Sequence, residues 1–327
     1  MIALILIPLA LAFAFSGIFE AEIERIAEEN GIEDFDPEAP SIYDGREVEF
    51  GTNTPDTLTG TNGDDVIFGL GQTDLIRGLS GDDIIEAGSN ADTVFGGAGD
   101  DIIGGGTGVD VLYGDAGDDA LLGNGGDDVL IGRSGNDLLI GGSGADSLNG
   151  GPGDDVLISG NIEIEGEGAL DVSASALAAV RLFSQEELSE ADFDALETNG
   201  ALNGVNVEFL AQSPMPTQGG ELRGGNGNDL LVLSGGDMAE GGAGEDMFVL
   251  NEDMVNENTV QIADYTPSED IIAIEYAGEN APVPEIRDRG ADALIVIGEA
   301  VIARVASGAG LSVDDLRLVR TGEYETF

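Results

Sequence analysis

The feature that most constrains this chain is a nine-residue period that runs without insertion or deletion from Gly51 to Ile158. Its twelve units follow the pattern G-G-x-G-x-D-x-U-x, in which U is a large aliphatic residue. Position 6 is Asp in all twelve units, and position 1 is Gly in all except the unit that begins at Ala87. The nonapeptide returns at Gly224–Val232 and at Gly241–Val249. Such a fixed period predicts a solenoid, in which each repeat stacks only on its neighbours.

Composition limits the chemistry that the repeats can perform. The 327 residues include 65 acidic residues and 11 arginines, and the formal net charge is −54. This charge would repel a phosphate backbone, so nucleic acid is excluded as a partner. The chain has no His and no Cys, which removes the usual ligands of transition metals. Hard cations that bind oxygen remain.

The spacing of glycine and aspartate within each unit suits such a cation. Glycine lets a loop adopt positive φ and turn its carbonyl groups inward, and the aspartate adds a carboxylate. Together they would offer a cation oxygen ligands only. The nonapeptide resembles that of the RTX (repeats-in-toxin) family of haemolysin-type calcium-binding repeat proteins. The resemblance implies an all-β fold, a right-handed parallel β-roll, with a calcium loop at G-G-x-G-x-D and a three-residue strand at x-U-x.

In this family two nonapeptides complete one turn, so the resemblance places calcium between loops that are 18 residues apart. The aspartates then form two columns of metal ligands. The even column, from the even-numbered units, contains Asp65, Asp83, Asp101, Asp119, Asp137 and Asp155. The odd column contains Asp56, Asp74, Asp92, Asp110, Asp128 and Asp146. Asp229 and Asp246 are the corresponding ligands of the second, shorter block.

Six loops on each side leave five gaps, which limits the main roll to ten ions. Position 4 departs from Gly only at Thr54, Gln72 and Asn90, and all three lie in odd-numbered units. We therefore expect five good even-side sites and two good odd-side sites, the latter on either side of Asp128. The other three odd-side sites are expected to be weak or vacant. The expected total is seven to ten calcium ions in the main roll.

The sequence divides into six segments. An uncharged apolar stretch covers 1–19, and its length suits either a membrane anchor or a signal segment. An acidic connector, 20–50, precedes the twelve-repeat roll, 51–158. A partly helical insertion at 159–219, a short second RTX block at 220–250 and a β-rich C-terminal cap at 251–327 complete the chain.

One surface of the predicted roll is unusually apolar. Positions 7 and 9 should face outward where position 8 faces inward. In the even units these positions include Val66, Phe68, Ile84, Ile102, Leu122, Leu138, Ile140, Val156 and Ile158. Either the insertion or the tail covers this stripe, or it is a surface for a partner or for self-assembly.

These observations predict a calcium-binding extracellular or cell-surface protein whose roll folds when it binds Ca²⁺. It is either secreted or anchored through residues 1–19. A zinc protease or a serine hydrolase would need histidine, which is absent. We do not expect an enzyme, because the segments outside the repeats are shorter than a usual domain. Two alternatives stay open, an adhesion or matrix-assembly module and a secreted glycan-active enzyme that uses paired carboxylates.

Overall fold

The computed structural model describes residues 47–160, 219–251, 258–267, 269–276, 281–306, 308 and 311–320. The chain divides into two compact units, Met1–Val48 and Glu49–Phe327. The described part of the second unit consists of β-strands, loops and one 3-10 turn, and it contains the repeats. The predicted helix of the insertion and the apolar segment 1–19 lie outside the described residues.

Two sheets make up the roll, and consecutive strands alternate between them. The 11-stranded sheet contains, in spatial order, β1 (Glu47–Phe50), β3 (Asp65–Phe68), β5 (Ile84–Ser89), β7 (Ile102–Thr107), β9 (Ala120–Gly125), β11 (Leu138–Ser143), β13 (Val156–Ile158), β15 (Leu230–Val232), β17 (Met247–Asn251), β19 (Ile271–Tyr276) and β23 (Leu316–Arg320). The 12-stranded sheet contains β2 (Thr57–Thr59), β4 (Leu75–Ser80), β6 (Thr93–Ala98), β8 (Val111–Ala116), β10 (Val129–Ser134), β12 (Ser147–Pro152), β14 (Glu221–Asn226), β16 (Met238–Ala243), β18 (Val260–Ile262), β22 (Ala300–Val305), β21 (Asp292–Ile297) and β20 (Pro284–Arg289). Among the described residues, a 3-10 turn covers Val313–Asp315.

The predicted parallel β-roll is confirmed by the pairing of these strands. Strand β10 pairs in parallel with β8 and β12, and Leu130 lies between Leu112 and Leu148. Partners are thus 18 residues apart, which is two nonapeptides per turn. Position 8 of each unit points between the sheets, and these aliphatic side chains form one continuous core. One aliphatic residue every nine is therefore the main source of apolar burial in the roll.

The strands are longer than the three residues that the family resemblance implied. Most contain six residues, such as β8, which combines positions 7–9 of one unit with positions 1–3 of the next. Burial alternates along β8, so that Leu112 and Gly114 both face inward. Glycine at position 1 thus lies inside the roll, where a side chain would compete for space with the loop aspartate.

The two nonapeptide blocks share the same pair of sheets. Strand β13 pairs with β15, with Leu157 opposite Leu231, and β12 pairs with β14, with Leu148 opposite Leu222. The sheets therefore continue from one side of the insertion to the other without losing register. They also extend into the β-rich C-terminal segment, because β18 and β19 pair in parallel with β16 and β17. Antiparallel pairing is confined, among the described strands, to β20, β21 and β22.

The apolar stripe on the outer face of the 11-stranded sheet is largely buried. Val66 is fully buried, Ile158 is 2% exposed and Val156 is 6% exposed. The stripe forms a second hydrophobic cluster, and its members lie on strands of this one sheet. The burial removes most of this face from solvent. Within the described part of the chain, no helix is long and apolar enough to span a membrane.

The outer face of the 12-stranded sheet has a different character. Phe95 and Tyr113 stack with ring centroids 4.7 Å apart. Arg77 lies 5.6 Å from the Phe95 centroid, and Arg133 lies 5.2 Å from the Tyr113 centroid. This stack of two cations and two rings crosses four consecutive strands, and it adds a metal-independent contact to the sheet.

Glycine at position 4 favours close stacking of the loops. Gly126 has a φ of +147°, and a Cβ atom built there would lie 1.3 Å from the carbonyl oxygen of Gly108 in the preceding turn. Other position 4 glycines are in the same situation, including Gly117 and Gly135. The loop backbones therefore pack directly on one another.

We expect Gly126→Ala to destabilise the calcium-bound roll by about 2 kcal/mol or more, because it adds a backbone clash to an unfavourable φ. The neighbouring Gly125→Ala is a matched control, since its Cβ would meet its nearest atom at 3.5 Å. Denaturant unfolding in excess calcium measures both variants. Equal midpoints for the two would contradict the stacking described here.

Candidate metal centre

A ladder of hydrogen bonds connects the loop aspartates within each column. The backbone N–H of each aspartate donates to Oδ1 of the aspartate one turn later. Asp101 N lies 2.8 Å from Asp119 Oδ1, and Asp110 N lies 2.8 Å from Asp128 Oδ1. The ladder uses one carboxylate oxygen of each residue to stack the loops and leaves the other for a different role.

The structure places all fourteen predicted ligands in these two columns. Asp56 is half-buried and the other thirteen are buried. The even column runs across the insertion, because Asp155 N donates to Asp229 Oδ1 at 2.9 Å and Asp229 N donates to Asp246 Oδ1 at 3.0 Å. In the odd column the aspartate is replaced by Gly220 one turn after Asp146, and the next turn supplies Asp237, whose Oδ1 accepts a bond from Gly220 N at 2.7 Å.

The second carboxylate oxygen is the main chemical signal of the site. In most loops Oδ2 is inaccessible to solvent and receives no hydrogen bond. This holds for Asp74, Asp92, Asp101, Asp110, Asp119, Asp128, Asp137, Asp146, Asp155 and Asp229. A buried carboxylate oxygen without a partner is costly, so this geometry calls for a proton or a cation at each position.

Glycine at position 1 makes room for this oxygen. A Cβ atom at Gly114 would lie 2.3 Å from Asp119 Oδ2, and one at Gly132 would lie 2.1 Å from Asp137 Oδ2. Residues with side chains at this position would displace the carboxylate from the loop. The glycine pattern therefore preserves a cradle for Oδ2.

Burial strongly raises the pKa values of the ladder carboxyls. The pKa of Asp119 rises to about 9, and those of Asp101 and Asp155 rise to about 8. Desolvation is the largest cause, the backbone N–H bond opposes it, and the charges of neighbouring aspartates add to the rise. Burial also raises the pKa to about 7 in Asp128, Asp137 and Asp229, and to about 6 in Asp92, Asp146 and Asp246. Without a metal, the ladder therefore favours bound protons.

Backbone carbonyl groups must complete any cation site. Within the described residues, no three His, Cys, Asp or Glu side chains converge on a common point. Stacked loops place a carbonyl oxygen and a carboxylate oxygen around the same point: a Cβ built at Gly123 would lie 2.5 Å from Gly141 O and 2.6 Å from Asp128 Oδ2. Aspartate oxygens and such carbonyl groups would offer a cation an all-oxygen donor set. Such a set fits Ca²⁺, which takes six to eight oxygens in flexible geometry.

A second ladder was missed in the sequence, although its residues are visible there at position 5. Asp100 N donates to Asp82 Oδ1 at 3.0 Å, and Asp118 N donates to Asp100 Oδ1 at 2.9 Å. The series continues on the even side through Asn136, Asp154 and Asn228. The odd units have Pro55, Thr73, Ala91, Val109, Asp127 and Ala145 at this position, and only Asp127 can join such a ladder. The two columns therefore differ at position 5 as well as at position 4.

The three exceptions at position 4 do not behave alike. Gln72 and Asn90 keep the left-handed backbone, with φ values of 75° and 78°. Thr54 is not among the described residues with positive φ. Asp74 and Asp92 also have Oδ2 atoms in the same state as those of the regular loops. The weak occupancy expected for the odd-side sites near the N-terminus stays a prediction.

Two further aspartates take ladder positions that were not assigned from the sequence. Asp270 Oδ1 accepts a hydrogen bond from Asp246 N at 3.2 Å, and Asp237 Oδ1 accepts one from Gly220 N at 2.7 Å. Each is the last carboxylate of its column. Asp270 lies four residues after Thr266, which is also the spacing between Thr61 and Asp65.

Comparison with known proteins agrees with this geometry. The family model described as RTX calcium-binding nonapeptide repeat (4 copies) matches six overlapping windows, namely 50–85, 68–103, 77–112, 86–121, 104–139 and 131–161. No curated protein matches the chain. The matched windows coincide with the stacked loops and their carboxylate ladder. The chain is therefore a Ca²⁺-binding β-roll protein that carries RTX calcium-binding nonapeptide repeats from residue 50 to residue 161.

Proposed function

We propose that this protein is a calcium-dependent scaffold that folds outside the cytoplasm, with calcium ions between the stacked loops as the condition for folding. The observation that carries the proposal is the column of buried Oδ2 atoms without hydrogen-bond partners. Seven to ten ions in the main roll would neutralise these oxygens. Calcium binding and folding are then one coupled equilibrium, because the cage exists only when the loops are stacked.

An extracellular or cell-surface location follows from the expected affinity. Calcium modules that work outside cells bind with dissociation constants of about 10⁻⁴ to 10⁻³ M. Binding must also offset the cost of bringing the buried carboxylates together, and this cost lowers the apparent affinity for calcium. A site of this affinity would stay largely vacant at low calcium and fill at millimolar calcium. The proposal does not depend on whether residues 1–19 anchor the chain or are removed.

The role proposed is structural and not catalytic. The ladder engages one oxygen of each buried loop aspartate with backbone, as in the 2.9 Å bond between Asp119 N and Asp137 Oδ1. An acid and base pair would need carboxylates that reach a substrate. The loop aspartates instead face the interior of the stack. Burial of most of the apolar stripe on the 11-stranded sheet likewise gives no support to that face as an assembly surface.

Calcium removal should unfold the roll at neutral pH. We expect the full chain to show little β signal by circular dichroism in excess chelator and to regain it as calcium is added, because without the ions the buried aspartates must either repel one another or take up protons. Isothermal titration calorimetry then counts the ions bound. A full β signal in chelator at pH 7.5 would contradict calcium-dependent folding, and fewer than five ions would contradict the ladder of sites.

Acid should partly replace calcium. An unfolded aspartate has a pKa of about 3.9, whereas the folded, metal-free values reach about 9 at Asp119. The folded state therefore holds more protons between these values, and its stability without metal falls as pH rises through this window. In chelator we expect more β signal at pH 5 than at pH 8, measured by circular dichroism.

A matched pair of variants separates this effect from the general reduction of charge. Asp119→Asn keeps the Oδ1 acceptor and removes a buried charge, so the metal-free chain should retain more β signal at pH 8. Asp118→Asn removes the same formal charge from the adjacent position, which is less buried. Equal signals from the two variants would show that net charge, and not the buried ladder, controls the pH dependence.

A further inference from the structure

The aspartates at the ends of the columns differ from those inside them. Asp65 Oδ2 accepts hydrogen bonds from Thr61 N at 2.5 Å and from Thr61 Oγ1 at 3.1 Å. Asp56 Oδ2 accepts them from Thr52 N at 2.6 Å and from Thr52 Oγ1 at 2.9 Å. In most interior loops, such as those of Asp101, Asp119 and Asp128, the equivalent oxygen receives no such bond. The protein itself thus satisfies the end carboxylates.

The cause is the residue at position 2. Interior loops have positive φ there, both at glycine and at residues with side chains, such as Leu70 with 76°, Asn124 with 68° and Arg133 with 82°. Thr52 and Thr61 are not among the residues with positive φ. Threonine is β-branched, so the left-handed backbone is strongly disfavoured for it. Its amide N–H instead lies within hydrogen-bond reach of the aspartate four residues later.

The same device closes the other end of the even column. Thr266 N donates to Asp270 Oδ2 at 2.6 Å, while Asp270 Oδ1 accepts the ladder bond from Asp246. The odd column ends similarly, since Ser234 N donates to Asp237 Oδ2 at 2.6 Å and Gly220 N donates to its Oδ1. Both oxygens of each final carboxylate are therefore hydrogen-bonded to backbone.

We infer that Thr52, Thr61 and Thr266 are end caps that take the place of a cation at the terminal loops. The threonine amide supplies the positive partner that calcium supplies inside the column. An end loop has a neighbouring loop on one side only, so it can offer a cation fewer oxygen ligands than an interior loop. A hydrogen-bond donor built into the loop satisfies its carboxylate without a metal.

This inference rests on the proposed function and refines its ion count. Because Asp56 and Asp65 are satisfied by the caps, the first gap of each column binds no calcium. Four gaps per side remain available in the main roll, which is within the expected seven to ten ions. It predicts that the identity of position 2, and not only of position 4, determines which loops bind calcium.

Threonine placed at position 2 of an interior loop should satisfy the carboxylate of that loop and prevent calcium binding there. Asn124 is exposed, already carries a Cβ atom at positive φ and precedes Asp128 by four residues. We expect Asn124→Thr to lose one calcium ion per full chain, counted by native mass spectrometry at saturating calcium. Asn124→Gly keeps the left-handed backbone and should keep the wild-type count. Equal counts for the two variants would overturn the inference.

The reverse change should create a calcium site at an end loop. It tests the end-cap inference even if Asn124→Thr fails to fold. Thr61→Gly frees Asp65 Oδ2 and should add one calcium ion per chain. Thr107→Gly, at an exposed position 3 of an interior loop, controls for loss of a threonine and should leave the count unchanged. An unchanged count in Thr61→Gly would overturn the end-cap inference alone. Absence of calcium from the wild-type chain would instead overturn the proposed function.

Discussion

The roll depends on one repeated interaction, the hydrogen bond from each loop aspartate N–H to Oδ1 of the aspartate one turn later. This bond fixes the vertical spacing of the loops and holds each carboxylate inside the stack. It leaves Oδ2 buried in most interior loops, so each of those turns contains an oxygen that needs a positive partner. Glycine at position 1 provides the space for that oxygen, and positive φ at positions 2 and 4 keeps the loop backbones in contact.

Magnitudes explain why the aliphatic core cannot hold this arrangement alone. Burial of one leucine or isoleucine contributes roughly 2 to 3 kcal/mol, whereas ordering the backbone of nine residues costs about 1 kcal/mol or more for each. The buried carboxylates add a further penalty, which appears as pKa values of about 8 or 9 in the middle of the even column. In the proposed function, calcium would offset both terms, because it would neutralise the carboxylates and link adjacent turns. Even ten ions would leave much of the formal charge of −54 to keep the surface strongly solvated.

The sequence was sufficient to predict the parallel roll and the two columns of six aspartates in the main block, because the period and the Asp at position 6 are strict. It did not predict that Asp155 and Asp229 are ladder neighbours. Their separation of 74 residues is not a multiple of 18, so the period itself gives no register across the insertion. The six-residue strands were also missed, since positions 1–3 were assigned to loops on the basis of their glycine content. The contribution of position 5 was visible in the sequence, but only the hydrogen bonds show that its Asp and Asn residues form a ladder.

The φ torsion at position 2 determines whether the aspartate Oδ2 of that loop accepts a hydrogen bond or binds a cation. With positive φ, as at Asn124, the amide leaves Asp128 Oδ2 without a partner. Thr61, outside that left-handed conformation, places its amide on Asp65 Oδ2 at 2.5 Å. Glycine, asparagine, leucine and arginine all occur at position 2 of interior loops. The relevant property of this residue is therefore whether its Cβ is branched. A solenoid whose interior turns share cations needs a different solution at its ends, and a β-branched residue provides it within the same nine-residue unit.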